Sequence, residues 1–283
     1  MTISKDKKHR QVFLLRLIGS VIAFGMVAFL IWQNWNGFID ALRSLPLGML
    51  LVVLLLAFAS RLMVSLRWFV LLRVIEPKLG FWQVLKLSFV GLFTTNVLPS
   101  TIGGDVVKLG GALRLGWDPS GVTASLVIDR LVGMATMASF LPIGISQIVQ
   151  VNALSPMMVS GGPGLFFAKL WQRLSSFINR TWESLKLWFK QPLHLLMAGA
   201  FSLVHMACTF TMVWFVLQAL ADPISWWVAG GLWVLVYFIT LLPISINGLG
   251  LQEASLSLIF ASFAGVSESN SLVLALLMRV LFM

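Results

Sequence analysis

Residues 98–105 read LPSTIGGD and residues 242–253 read LPISINGLGLQE. In each, a leucine closes an apolar run, a proline and then glycines follow, and the stretch ends on an acid, Asp105 or Glu253. Proline removes a backbone donor and glycine permits unwinding, so each stretch interrupts a helix. At membrane depth such a break exposes amides and carbonyls that lipid cannot satisfy, and something polar must do so. Paired breaks in two halves point to an internal repeat with a binding site near the bilayer midplane. The expected fold is all-α: a polytopic transmembrane helical bundle forming one integral membrane domain over residues 1–283. Its two pseudo-repeated halves, 10–150 and 165–283, each contain a broken or re-entrant Pro/Gly helix pair.

Composition places those breaks in a bilayer. Hydrophobic residues are 59% of the chain and charged residues 11%, against about 25% charged in a soluble domain. Runs such as 12–32 and 193–221 meet the roughly 20 residues that a hydrocarbon core requires. The first run ends in Ile31, Trp32, Gln33, Asn34, Trp35 rather than a small-residue cleavage site, so it reads as a retained span and not a signal peptide. The single cysteine, Cys208, offers no disulfide framework. A net charge of +10 does not imply nucleic acid here, because the basic residues flank apolar segments and form no aromatic-interleaved face. Lys5, Lys7, Lys8, Arg10 and Arg16 precede the first span, which by the positive-inside rule puts the amino terminus in the cytoplasm and the chain in the inner (cytoplasmic) membrane.

The second span runs from Pro46 to Ile75 with Arg61, Arg67 and Arg73. Arg67 lies about 30 Å along it, near the inner surface, so it and Arg73 are expected to snorkel; Arg61, about 22 Å along, is deeper but is assigned the same role. Arg73 and Lys78 before residues 81–100, and Lys108 and Arg114 after them, suggest that this segment enters and returns with its tip near Pro99. A helix then starts at Asp118 to Ser120 and runs to Gln150. Its Gly121, Ser125, Asp129 and Gly133 recur every four residues, a stripe suited to close packing. Residues 165–190 alternate aromatic and basic positions at helical period. Two readings fit them: an interfacial helix, or a tilted span lining a polar cavity.

The broken segments and the buried charges define the candidate lipid-headgroup residues: Asn96, Ser100, Thr101, Gly103, Gly104, Asp105, Lys108, Asp129, Arg130, Asn247, Gly248, Gly250 and Glu253. Exposed amides from Ser100 to Gly104 suit a phosphate or carboxylate. Arg130 lies about 16 Å into a helix begun at Pro119, a depth at which arginine faces a cavity or a partner. The competing reading makes the breaks packing devices, with Asp105 and Glu253 ion-paired to Arg130, Lys108 or Arg279. His194 and His205 have no acidic or cysteine companion and read as core histidines. Neither a GxSxG elbow nor a Walker A sequence occurs, so no catalytic residue, metal or cofactor is expected.

At these residues the chain resembles the lysylphosphatidylglycerol synthase transmembrane, or flippase-like, family. The resemblance rests on Arg61, Arg67 and Trp68; on Asn96, Leu98, Pro99, Gly103, Gly104 and Asp105; on Asp129 and Arg130; and on Leu242, Pro243, Gly248, Gly250 and Glu253. The family pattern usually has glutamate where Asp105 and Asp129 stand, and usually continues further at the carboxyl end; the last apolar run, from Ser271, is about 20 Å long. The resemblance implies a domain that moves a lipid between leaflets, as the corresponding domain does beside the aminoacyl transferase in multiple peptide resistance factors. Some standalone relatives accompany glycosyltransferases that use polyprenyl phosphates. The aminoacyl-transferring domain is not among these residues, so synthase activity is not inherited with the name. Three functions stand open: a lipid flippase-like transporter, a noncatalytic partner of a glycosyltransferase or aminoacyl-lipid synthase, and a membrane enzyme acting on polyprenyl phosphates. Membrane lipids are the expected ligands, and the sequence is silent on oligomeric state. In a Cys208→Ala background, single cysteines replacing Lys78 and Arg114 should both react with an impermeant thiol reagent from the cytoplasmic face only. Labelling from opposite faces would remove the re-entrant hairpin.

Overall fold

The structure, a computed structural model, describes residues 25, 28, 29, 32, 35–97, 103–153, 188, 190–242, 245 and 248–282, with the side chains of 96, 97 and 150–153 excepted. Most of the first span, the tips at Pro99 and Pro243 and nearly all of the helix expected at 165–190 lie outside the described residues. Among those described, regular structure is helical throughout, without a strand. Three helical stretches, Leu47–Leu72, Pro119–Val149 and Pro192–Ala219, are long and apolar enough to cross a membrane.

A short helix, α1 (Trp35–Arg43), leads through Pro46 into α2 (Leu47–Leu72), which at 1.5 Å per residue is about 39 Å long. α3 (Phe81–Val97) and α4 (Gly103–Arg114) follow, then α5 (Pro119–Ser139) and α6 (Leu141–Ala153). The continuous helix expected from 118 to 150 is interrupted at Phe140, where Pro142 can donate no hydrogen bond back to the preceding turn. α5 starts where the sequence indicates. Asp118 caps it, accepting from Gly121 N at 2.6 Å and from the Ser120 hydroxyl at 2.7 Å, with Pro119 at the first helical position. Those hydrogen bonds hold the exposed Asp118 carboxyl below its ordinary pKa. α7 (Pro192–Ala219), α8 (Trp226–Thr240), α9 (Leu251–Ala264) and α10 (Glu268–Phe282) complete the bundle.

α2 and α7 form the spine. They run antiparallel, since Ser60 meets His205 while Arg67, further along α2, meets Ser202, earlier on α7. Small residues let them approach: Ala57, Ser60 and Ser65 on α2 and Ala198, Ser202 and Thr209 on α7 are all buried. The largest core cluster joins the first half of α2 to α7, α8, α9 and α10 around Phe210, Val213, Leu232 and Phe260. A second, around Trp68, Val84, Ala112 and Val122, packs α3 and α4 onto the other end of α2 and the start of α5.

α3 and α4 form an antiparallel pair in close contact. A Cβ at Gly104 would collide with the Thr95 hydroxyl and the Gly91 carbonyl, and one at Gly91 would lie 2.8 Å from Lys108 Cγ. α6 meets α8 in the same way, because a Cβ at Gly231 would stand 2.8 Å from the Gly144 amide. The stripe expected on α5 faces α2 and its carboxyl end. A Cβ at Gly121 would lie 2.6 Å from Ile75, the Ser125 hydroxyl accepts from Trp68 Nε1 at 3.2 Å, and Asp129 and Gly133 both meet Arg67.

Outside the spans, Asp222 ties the α7–α8 turn to the α9–α10 turn. It accepts from Ser267 N and Oγ, both at 2.9 Å, and from Asn270 Nδ2 at 2.8 Å. Desolvation pushes its pKa up, but these bonds outweigh it and leave the group below its ordinary 3.8. A carboxylate with a depressed pKa stabilises the fold above the unfolded-state value, and that contribution is lost as pH falls through the folded-state value. Asp222→Asn should therefore lower the stability at pH 7, by on the order of 1 kcal/mol or less after solvent screening, read as a lower unfolding temperature. The difference should begin to shrink below about pH 4 and vanish once the pH is below the folded-state value. A difference that persists unchanged at pH 3 would contradict this account.

Candidate functional site

Arg67 was expected at the inner surface with its charge in headgroups; instead it is buried at 8% exposure. Its Nε donates to Asp129 Oδ1 at 2.7 Å, its Nη2 to Oδ2 at 3.0 Å and its Nη1 to the Ser202 hydroxyl at 3.0 Å. The fork engages both carboxylate oxygens, the strong bidentate geometry of Arg–carboxylate pairs. Distance along α2 gave the depth of Arg67 but not the direction it faces, and the stripe on α5 turns it inward. Gly133 leaves the room, since a Cβ there would lie 2.8 Å from Arg67 Nη1. Asp129, a candidate headgroup contact, is thus committed to Arg67. Arg73 is exposed at the helix end as expected, its guanidinium 5.6 Å from the Phe69 ring.

The next residue, Trp68, carries the arrangement to α4. The buried Lys108 ammonium lies 4.8 Å from the centroid of its ring, a cation–π contact made in a desolvated place. Three residues earlier on α4, Asp105 forms an ion pair with Arg130 of α5. Gly103 and Gly104 are buried beside them. In the second half, Glu253 of α9 pairs with Arg279 of α10 at 3.3 Å, both buried, and Arg279 Nη1 donates to Gln252 Oε1, also at 3.3 Å. The two ion pairs occupy matching places. Asp105 and Glu253 are each the third residue of their helix, and Arg130 and Arg279 are each the twelfth of the helix that follows. Ser60 and His205, bonded at 2.7 Å where α2 crosses α7, are each the fourteenth residue of their helices.

Two cavities adjoin at this crossing. The larger, 330 Å³, is lined by Arg61, Thr95, Tyr237, Thr240, Gln252 and Arg279 among others, with Gly248 at its edge. The smaller, 250 Å³, includes Arg67, Arg130, Gly133, Met134 and Ser202. Met137, His205, Tyr237 and Leu241 line both, so the chambers share a wall. Arg61, too, was assigned to snorkelling, and it faces the larger chamber instead. Its Nη2 donates to the Phe282 carbonyl oxygen and its Cζ lies 4.7 Å from the Phe282 ring centroid. Four guanidiniums therefore surround the chambers. Three of them are paired with a carboxylate: Arg67, Arg130 and Arg279.

Of the sequence-derived candidates, Gly103, Gly104, Asp105, Lys108, Asp129 and Arg130 gather around the Arg67 end of α2. Gly248, Gly250 and Glu253 lie at the α8–α9 connection beside the larger chamber. The side chain of Asn96, together with Ser100, Thr101 and Asn247, lies outside the described residues. Sequence reading missed Ser202, Tyr237, Thr95 and Gln252, single polar residues in apolar runs that carry no periodic signal. His205 reads as before, a core histidine bonded to Ser60, though its ring also borders both chambers.

An apolar helical bundle with charged side chains turned inward is the architecture of an integral membrane protein. A family model described as the lysylphosphatidylglycerol synthase TM region matches residues 16–282. The chain belongs to that family. No curated protein matches it.

Removing one member of the Arg67–Asp129 pair strands the other in a low-dielectric interior, which costs about 3 to 5 kcal/mol. Asp129→Ala and Arg67→Ala should each lower the thermal unfolding midpoint in detergent substantially. The double variant Arg67→Met with Asp129→Leu should recover much of that loss, because it leaves no unpaired charge. Single variants as stable as wild type would show that the pair carries no such weight.

Proposed function

We propose that this chain moves a lipid with an anionic headgroup between the leaflets of the cytoplasmic membrane, holding the headgroup in the chambers while the acyl chains stay in the bilayer. The lipid is an anionic or aminoacylated phospholipid or a polyprenyl-phosphate-linked lipid. The observation that carries this reading is the set of four guanidiniums, Arg61, Arg67, Arg130 and Arg279, around two adjoining chambers in an otherwise apolar bundle. Charge at such depth is costly and marks a path for polar cargo. Membership of a lipid-synthase transmembrane family agrees with it.

Three features support two repeated halves rocking about a shared site. The Asp105–Arg130 and Glu253–Arg279 pairs hold matching positions. The antiparallel crossing of α2 and α7 at equal distances along each helix is what a twofold axis in the membrane plane produces. At 17 and 12 residues, α3 and α4 are about 26 and 18 Å long, each shorter than the roughly 30 Å hydrocarbon core, which suits a re-entrant pair. The two ion pairs differ in accessibility: the side chains of Arg130 and Asp105 are 39% and 22% exposed, those of Arg279 and Glu253 10% and 6%. The first pair is thus the more accessible of the two, which agrees with a transporter open to one side. The amino terminus lies in the cytoplasm, and no bond-making step is assigned. A glycosyltransferase or aminoacyl-lipid synthase would supply or consume the cargo.

Vesicles reconstituted with the protein should exchange a fluorescent anionic phospholipid between leaflets faster than protein-free vesicles, read by chemical quenching of the outer leaflet. Arg130→Gln should slow that exchange about tenfold or more while Arg73→Gln leaves it unchanged, with expression and unfolding temperature measured beside both. Wild-type protein that accelerates no lipid would favour the noncatalytic partner role. Equal loss of folding and exchange in Arg130→Gln would make the Asp105 pair a packing device.

A further inference from the structure

Within the lipid-moving role, on which this rests, we infer that the larger chamber is the seat for one negative charge, the phosphodiester of a phospholipid headgroup, and that Arg61 holds it. Among the described residues Arg61 has no carboxylate within ion-pair distance, whereas Arg67, Arg130 and Arg279 each have one. Among the described residues its side chain donates one hydrogen bond, to the Phe282 carbonyl oxygen, and a guanidinium carries five N–H donors. The fork therefore has donors to spare on the chamber side. Desolvated charge of this kind is costly unless an anion answers it.

The rest of the wall suits a diester. The Tyr237 hydroxyl and the Gln252 amide can donate hydrogen bonds, while the Thr95 and Thr240 hydroxyls already donate to Gly91 O and Tyr237 O and can only accept. The threonines thus favour a ligand with hydroxyl groups of its own beside the phosphate. Leu92, Trp233 and Val236 give an apolar side for the first methylenes of the tail. A chamber of 330 Å³ takes a headgroup and leaves the acyl chains outside. Arg279 is balanced by Glu253, so the lining offers one net positive charge, which one phosphodiester neutralises. A phosphomonoester or diphosphate would bring surplus negative charge into a low-dielectric site at a cost. In the smaller chamber both lining arginines are answered, Arg67 by Asp129 and Arg130 by Asp105, and the nearby Lys108 ammonium lies against the Trp68 ring outside that lining, so it is the weaker anion seat.

The test is calorimetric titration of the detergent-purified full chain with short-chain phosphatidylglycerol, short-chain phosphatidic acid, and glycerophosphoglycerol, the same diester without acyl chains. Wild type should bind phosphatidylglycerol in preference to the other two. Arg61→Gln should weaken that binding about tenfold or more, which is about 1.4 kcal/mol, while Arg61→Lys, which keeps the charge, stays within about threefold of wild type. Arg61→Gln binding like wild type while Arg130→Gln loses binding would move the seat to the smaller chamber and leave the lipid role standing. Tighter binding of phosphatidic acid would overturn the single-charge assignment, and equal binding of glycerophosphoglycerol would make the ligand a soluble phosphodiester. Wild type that binds none of the three would sink the lipid role and this seat together. If Arg61→Gln does not fold, a phosphatidylglycerol analogue with a photoreactive headgroup decides on wild-type protein: adducts at Thr240 or Gln252 support the larger chamber, and adducts at Gly133 or Met134 overturn it.

Discussion

Arg67 reaches from α2 to both carboxylate oxygens of Asp129 on α5 and to the Ser202 hydroxyl on α7. It joins the three longest apolar helical stretches at one point. Lipid tails can replace neither charge, so the helices that bear them must stay together. The neighbouring contacts follow from that placement. Trp68 is turned toward Ser125 and beneath the Lys108 ammonium, which draws α4 and its partner α3 against α2. The small stripe on α5 serves this contact, with Gly133 leaving room for the guanidinium and Asp129 answering it.

Around that fixed point stand two further ion pairs. Asp105–Arg130 and Glu253–Arg279 each link a short helix to the one that follows it. One pair is half open and the other closed. In the proposed lipid-moving role, passage of a headgroup needs some contacts that hold and others that exchange partners. The buried bidentate Arg67–Asp129 pair has the geometry for the first role, and the half-buried Asp105–Arg130 pair has the accessibility for the second. His205 and Tyr237 stand where the chambers meet, so a headgroup passing between them would go by this pair.

Much of the fold was legible in the sequence because the bilayer makes strong demands on it. Long apolar runs, Pro and Gly breaks and the four-residue stripe each report a constraint that lipid imposes, and α2, α7 and the start of α5 lie where those signals put them, whereas the interruption at Phe140 was not foreseen. The depth of Arg130 marked it as a charge with a partner, and the structure supplies Asp105. Arg67 and Arg61 were misread for one physical reason: rise per residue fixes depth along a helix, whereas snorkelling depends on which way the side chain faces. That direction is set by residues far away in sequence, Asp129 for Arg67 and Phe282 for Arg61. The chamber walls were less legible still, since Thr95, Ser202, Tyr237 and Gln252 come from four helices and converge only in the folded bundle.

The central claim is that the guanidinium-lined chambers hold the headgroup of an anionic lipid. Native mass spectrometry of the full chain, extracted gently from its own membrane with bound lipid retained, tests this most directly. The account predicts a one-to-one adduct whose mass matches a phosphate-bearing anionic lipid, enriched over its share of the surrounding membrane. Protein that flies without lipid, or with lipids only in their bulk membrane proportions, would contradict it.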